Sequence, residues 1–135
     1  MATQQFFVMI KPDGVKRGLI GKIISRFEKR GFCLVWMKLA SPPRELFEEQ
    51  YKEYAGKTFY DELINFSVSG PVVLMIWSGN IQVARSLIGD TIPWETKPGT
   101  IRGDYASSLP SNLVHCSADQ QNANREVEHW TINLD

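Results

Sequence analysis

Apolar positions along this chain come in two rhythms. Phe6-Phe7-Val8-Met9-Ile10 is a continuous apolar run of strand length and reads as a strand covered on both faces. It stops at Lys11-Pro12-Asp13-Gly14, a Pro-Asp-Gly turn that puts Lys11 at a strand end, where functional side chains are common. Leu19, Ile20, Ile23, Ile24 and Phe27 then recur at helical spacing opposite Lys22, Arg26 and Lys29, and Gly31 closes that helix. Residues 32–39 form a second strand that Pro42-Pro43 cannot extend. Leu46, Phe47, Tyr51 and Tyr54 predict another helix, and a short one holds Phe59, Leu63, Ile64 and Phe66. After a turn at Ser69-Gly70-Pro71, Val72-Val73-Leu74-Met75-Ile76-Trp77 is the third strand. Ile81, Ala84, Leu87 and Ile88 stripe the helix that follows, with Arg85 off that stripe. An irregular segment, residues 89–111, precedes a last strand around His115 and a closing helix; no repeat or linker interrupts the order.

The closing helix carries a carboxylate in an unusual place. At about 100° per residue, Ala123, Val127 and Trp130 share one arc, and Glu126 falls about 40° from Trp130. Arg125, Glu128 and His129 lie well away, and His129 reads as solvated. A carboxylate at the rim of a buried face usually has a partner there, and His115 in the preceding strand is within reach. A carboxylate accepting one ring N–H fixes the tautomer and leaves the other nitrogen as a bare lone pair, which makes the imidazole a nucleophile. Ser117 lies on the same side of the strand as His115 and is placed to help hold Glu126. In residues 89–111, Ile92, Trp94, Ile101 and Tyr105 give a long loop something to pack with. There Arg102 stands between Gly99 and Gly103, glycines that allow backbone to approach a ligand; taken alone it reads as a surface arginine.

Composition narrows the chemistry. The chain has 135 residues, enough for one domain spanning 1–135, with 43% hydrophobic and 22% charged residues. Fifteen basic residues balance fifteen acidic ones, so charge gives no support for nucleic acid or an anionic membrane as a partner. Cys33 and Cys116 both lie in apolar runs, which suggests buried thiols in a reducing, cytoplasmic compartment. No segment approaches the about 18 apolar residues of a membrane span, and the first residues lack the basic start of a secretory signal. A Cys–His pair fails, because Cys116 and His115 are adjacent and point to opposite faces. Zinc has too few ligands. Gly56-Lys57-Thr58 ends like a phosphate-binding loop, but Tyr51 stands where its first glycine belongs. What remains is a histidine nucleophile among scattered cations, the arrangement that phosphoryl transfer requires.

Four separated stretches then carry a resemblance: Lys11-Pro12-Asp13-Gly14-Val15, Ser69-Gly70-Pro71-Val72, Lys97-Pro98-Gly99-Thr100-Ile101-Arg102-Gly103-Asp104 and Asn112-x-x-His115. Together and in this order they resemble the signatures of nucleoside diphosphate kinases, from about Phe6 to Trp130. The resemblance implies an α+β, ferredoxin-like sandwich with a four-stranded antiparallel sheet; periodicity alone does not choose that over a parallel sheet. It implies Mg²⁺-dependent, ping-pong transfer of the γ-phosphoryl of a nucleoside triphosphate to a nucleoside diphosphate through a phosphohistidine, with broad base specificity. Mg²⁺ is expected on the nucleotide phosphates, with no metal site of the protein's own. His115 would be the nucleophile, through Nδ1, with Glu126 on the other nitrogen and Ser117 behind it. Lys11 and Tyr51 would contact the transferring phosphoryl group, and Lys11 also the ribose 3′-hydroxyl. Arg85, Thr91 and Arg102 would bind the remaining phosphates, Asn112 the sugar hydroxyl, and Phe59 the base, with Leu109 opposite. The resemblance also implies a homo-hexamer, or a tetramer; Trp36 and Trp94 are apolar candidates for such contacts, though core packing is the commoner fate of such residues.

The chain departs from the family pattern after the histidine, where Cys116-Ser117-Ala118 replaces Gly-Ser-Asp and Asp119 takes over as helix cap. Ile92, Trp94 and Pro110-Ser111 are further departures. None removes a catalytic group. The competing expectation is a nucleotide-binding or scaffold protein of this fold with little turnover, the consequence of a crowded Cys116.

Overall fold

The computed structural model describes residues 4–92, 95–106, 108–109 and 111–134. Trp94 and Pro110, named above, lie outside them. In chain order the elements are β1 (Gln4–Ile10), α1 (Pro12–Lys16), α2 (Ile20–Lys29), β2 (Cys33–Ala40), α3 (Arg44–Gln50), a 3₁₀ turn (Lys52–Tyr54) and α4 (Tyr60–Ser67). There follow β3 (Val72–Gly79), α5 (Ile81–Ile88), α6 (Ile101–Tyr105), β4 (Val114–Cys116) and α7 (Gln120–Leu134). The four strands form one antiparallel sheet in the order β2-β3-β1-β4, the sheet that the resemblance implied.

The unbroken apolar run of β1 is explained by its place between β3 and β4 with helices on both sides. Phe6, Phe7, Val8, Met9 and Ile10 have no exposed surface. Because side chains alternate, Phe6, Val8 and Ile10 join Ile23 and Phe27 of α2 and Ile81, Ala84 and Ile88 of α5 in one cluster. Phe7 and Met9 join Phe47 of α3, Ile64 of α4 and Trp130 of α7 in the other. Each large side chain so buried contributes about 1.5–3 kcal/mol relative to exposure. His115 lies on the Phe7 side, its ring 5.9 Å from that of Phe7, whereas Cys116 belongs to the Phe6 side, as strand alternation requires.

Several expectations are corrected. The Pro-Asp-Gly stretch forms the short helix α1 rather than a turn, with Pro12 at its start, where a missing N–H costs nothing. Residues 89–111 are not wholly irregular, since α6 lies within them; it is capped by Thr100, whose hydroxyl accepts from Gly103 N at 2.9 Å. Cys116 is buried, but Cys33 is exposed, because β2 pairs with β3 alone and forms a sheet edge. Trp36 on that strand packs half-buried against the second cluster. The exposed apolar residues of β2 are instead Leu34, Val35, Met37 and Leu39.

Candidate active site

The carbonyl end of β1 and the start of β4 are tied together at both backbone groups of Leu113. Lys11 N donates to Leu113 O at 2.8 Å, and Leu113 N donates to Asp13 Oδ2 at 3.1 Å. Leu113 itself is held at φ 76°, the only positive φ outside glycine among the described residues. Val114 N reaches back to Asn112 O at 2.9 Å, closing a strained three-residue γ-turn. Strain of this kind costs about 1–3 kcal/mol and persists only where surrounding structure over-determines it. Here the turn aims Asn112 and, two residues after Leu113, His115 into one cavity.

That cavity measures about 610 Å³ and is lined by His115, Glu126, Lys11, Tyr51, Arg85, Thr91, Arg102, Asn112, Phe59 and Leu109, among others. All the site residues expected from sequence are thus brought together, except Ser117, which sits directly behind. His115 faces Glu126 through Nε2, 3.2 Å from Oε2 and 3.3 Å from Oε1. Ser117 Oγ donates to Glu126 Oε1 at 2.7 Å and is anchored in turn by the N–H of Phe7 at 3.0 Å. Burial opposes charge on Glu126. The charge of His115 and hydrogen bonds from His115, Ser117 and Gln50 outweigh it and hold the carboxyl down at about 2. In the neutral imidazole, an ionised Glu126 accepting at Nε2 keeps the ring proton there and leaves the lone pair on Nδ1.

The cations come from three elements. Lys11 is 8% exposed and donates to Asn112 Oδ1 at 2.7 Å; burial, aided by the charge of Arg102, pulls its ammonium down to about 7. Arg102 is not the surface arginine its sequence setting suggested. It is 8% exposed and donates to three backbone carbonyls, Asn112 at 3.2 Å, Gly89 at 2.9 Å and Val114 at 2.6 Å. Burial and the nearby charge of Arg85 lower it to about 10. Arg85 donates to the carbonyls of Cys116 and Ser117, each at 3.3 Å. Gly103 serves its own chain rather than a ligand, because any Cβ there would overlap the carbonyl of Lys97. Asn112 spans the site, its amide donating to Thr91 O at 2.9 Å.

Tyr51 packs edge-on against the His115 ring at 5.8 Å, and its buried hydroxyl has no hydrogen-bond partner among the described residues. Burial pushes that hydroxyl's pKa up, so it remains a donor. Phe59, 46% exposed, stands at the cavity mouth beside Tyr54, with Leu109 similarly exposed. The Cys116 thiol is raised to about 12 by burial, which keeps it a neutral wall and removes it as a nucleophile. Asp119 caps α7 as expected, accepting from Asn122 N at 2.8 Å. Arg125, expected away from the site, comes within 3.7 Å of Glu126, and His129, expected in solvent, bonds to Leu46 O at 2.9 Å and packs on Trp130.

Sequence reading missed Gln50, whose amide donates to Glu126 Oε2 at 2.8 Å. It lies on the stripe of Phe47 and Tyr51, so a polar residue among buried positions was the available signal.

A model of the family "Nucleoside diphosphate kinase" matches residues 4–133. The nucleoside diphosphate kinase of Saccharolobus solfataricus is 54% identical over 129 residues, covering 94% of each chain. The crystal structure of the nucleoside diphosphate kinase from Encephalitozoon cuniculi superposes with a TM-score of 0.92 at 40% identity, covering 94% of this chain and 88% of that one. The Halobacterium salinarum enzyme, solved in complex with CDP, gives 0.92 at 42% identity, covering 96% and 88%. A cavity joining a carboxylate-backed histidine to buried cations, on a chain matched over nearly its whole length, leaves one conclusion: the chain belongs to the nucleoside diphosphate kinase family and is a phosphotransferase of nucleotide metabolism.

Proposed function

We propose that His115 is the phosphate carrier of a two-step transfer between nucleoside tri- and diphosphates. The observation that carries this reading is the pair of carboxylate oxygens at Nε2 of a cavity-lining histidine, which leaves Nδ1 as the nitrogen with the lone pair. In the first step Nδ1 attacks the γ-phosphorus, the bond to the β,γ-bridging oxygen breaks, and the diphosphate leaves. Positive charge that develops on the ring is shared with Glu126, which Ser117 holds in place. In the second step an oxygen of the acceptor's β-phosphate attacks the phosphohistidine, and the ring recovers its lone pair.

Lys11 and the Tyr51 hydroxyl, which has no partner among the described residues, are the donors for the transferring group, and Lys11 with Asn112 takes the sugar hydroxyls. Arg85, Thr91 and Arg102 hold the other phosphates. Phe59 offers an aromatic face at an open mouth, with Leu109 on the other side, which suits stacking on any base and supports broad base specificity. The Halobacterium relative's complex with CDP is consistent with such a pocket.

Lys11, Arg85 and Arg102 line the cavity as cations, so Mg²⁺ would be held mainly by the nucleotide's own phosphates, whose charge it would help to neutralise. Residues 1–135 act as one catalytic domain. Two free thiols support a reducing, cytoplasmic setting, and no described helix is long and apolar enough to cross a membrane. The apolar edge strand β2 supports assembly into a homo-oligomer, a hexamer by family precedent, with a tetramer as the other possibility.

The test is steady-state transfer by His115→Ala. Loss of transfer between nucleotides, with nucleotide binding retained, is the expected result; parental turnover would overturn the reading.

A further inference from the structure

Gln50 is the last residue of α3 and is 1% exposed. Its amide is engaged at both ends. Oε1 accepts from the indole N–H of Trp130 at 2.8 Å, and Nε2 donates to Glu126 Oε2 at 2.8 Å while lying 3.3 Å from His115 Nε2. An indole N–H can only donate, so Trp130 fixes which way the amide faces: oxygen toward α7's indole, nitrogen toward the carboxylate. The amide nitrogen in turn has no lone pair to offer. At Nε2 the ring proton of His115 therefore finds the Glu126 carboxylate as its acceptor and not Gln50.

We propose that Gln50, oriented by Trp130, is a positioning residue that sets the tautomer of His115. It presents a donor to Glu126, and so keeps that carboxylate an acceptor aimed at Nε2. Without the amide, Oε2 would be free to turn toward Arg125, 3.7 Å away on the same helix. The other described groups around the pair are engaged elsewhere on it or beside it. Ser117 holds the other oxygen, Tyr51 meets the imidazole ring edge-on, and Lys11 bonds to Asn112. The clamp thus joins α3 and α7 through hydrogen bonds directly behind the reacting ring. Gln50 does not line the cavity, so its effect reaches the nucleotide only through Glu126 and His115. The inference rests on His115 being the nucleophile.

Gln50→Met in the full chain removes the amide at nearly constant volume. Phosphoryl uptake from saturating γ-labelled ATP is expected to fall about tenfold, the loss typical of one hydrogen bond to a charged group. The KM for the nucleotide is expected to stay within about twofold. Nitrogen-15 spectra of His115 in the parent should show a protonated Nε2 and a bare Nδ1, and in Gln50→Met a mixture of tautomers. Gln50→Glu, which keeps the shape and the acceptor for Trp130, covers the case in which Gln50→Met folds poorly. Its introduced carboxyl donates to Glu126 only while protonated, so uptake should acquire a second titration and decline as that proton leaves. A Gln50→Met protein with parental uptake and parental tautomer overturns the proposal. So does a Gln50→Glu pH profile superimposable on the parent's. A parent chain that takes no label on His115 instead defeats the nucleophile reading, while the tautomer spectra report on Gln50 independently.

Discussion

Glu126 accepts from His115, Ser117 and Gln50 together, and this crowd of donors explains how a buried carboxyl stays ionised. Three expected outcomes belong to the scale of the single residue. Glu126→Gln keeps the shape but loses the charge that balances the ring, so phosphoryl uptake should drop about a hundredfold in single-turnover assays. The same substitution changes acid stability. The carboxyl titrates near 4.5 when exposed and at about 2 in the folded chain, so its ionised form stabilises the protein above about pH 4.5, and that contribution is lost as pH falls toward 2. Urea midpoints measured at about pH 6 and about pH 3 should differ less in Glu126→Gln than in the parent. Lys11 works in the opposite sense. Burial lowers it to about 7, and a bound polyphosphate restores its charge, so nucleotide binding above that pH takes up a proton and weakens as pH rises. Calorimetry in buffers of different ionisation heat should detect that uptake in the parent and lose it in Lys11→Met.

Among the elements, α6 shows how a short piece of structure governs the site. It carries Arg102 between β4 and the carbonyl of Gly89, and its entry is packed so closely that Gly103 has no room for a side chain beside Lys97 and Thr100. Gly103→Ala should therefore cost about 1–3 kcal/mol in denaturant unfolding and raise the KM for nucleotide as Arg102 is displaced. The long elements were legible from sequence because each repeats its rhythm: β1 and β3 as unbroken apolar runs, α2 and α5 as stripes. Helices α1 and α6, of five residues each, are too short to complete two turns, so no periodicity marks them. Glu126 was found as a charge at the rim of a buried stripe. The same logic applied to α3 would have found Gln50, but an uncharged amide among Phe47 and Tyr51 gives a weaker signal. The edge position of β2, and with it the exposure of Cys33, was not legible, because strand order depends on contacts distant in sequence.

For the molecule as a whole, the sheet order sets both the site and the surface. Placing β1 at the centre brings Lys11 to the turn before β4, and leaves β2 as an outer strand showing Leu34, Val35, Met37 and Leu39. Apolar side chains along an unpaired edge invite a second strand. Light scattering should give a multiple of the 15.4 kDa chain mass, six-fold for the proposed hexamer, and Leu39→Asp should lower it. The antiparallel arrangement came from the resemblance, and the structure agrees with it. The central claim is covalent, and it is tested most directly by incubating the purified chain with γ-labelled ATP and Mg²⁺ in the absence of any acceptor. The account predicts acid-labile label that maps to His115 and is removed when a nucleoside diphosphate is added. Label that maps to another residue, or nucleotide turnover with no labelled protein, would contradict it.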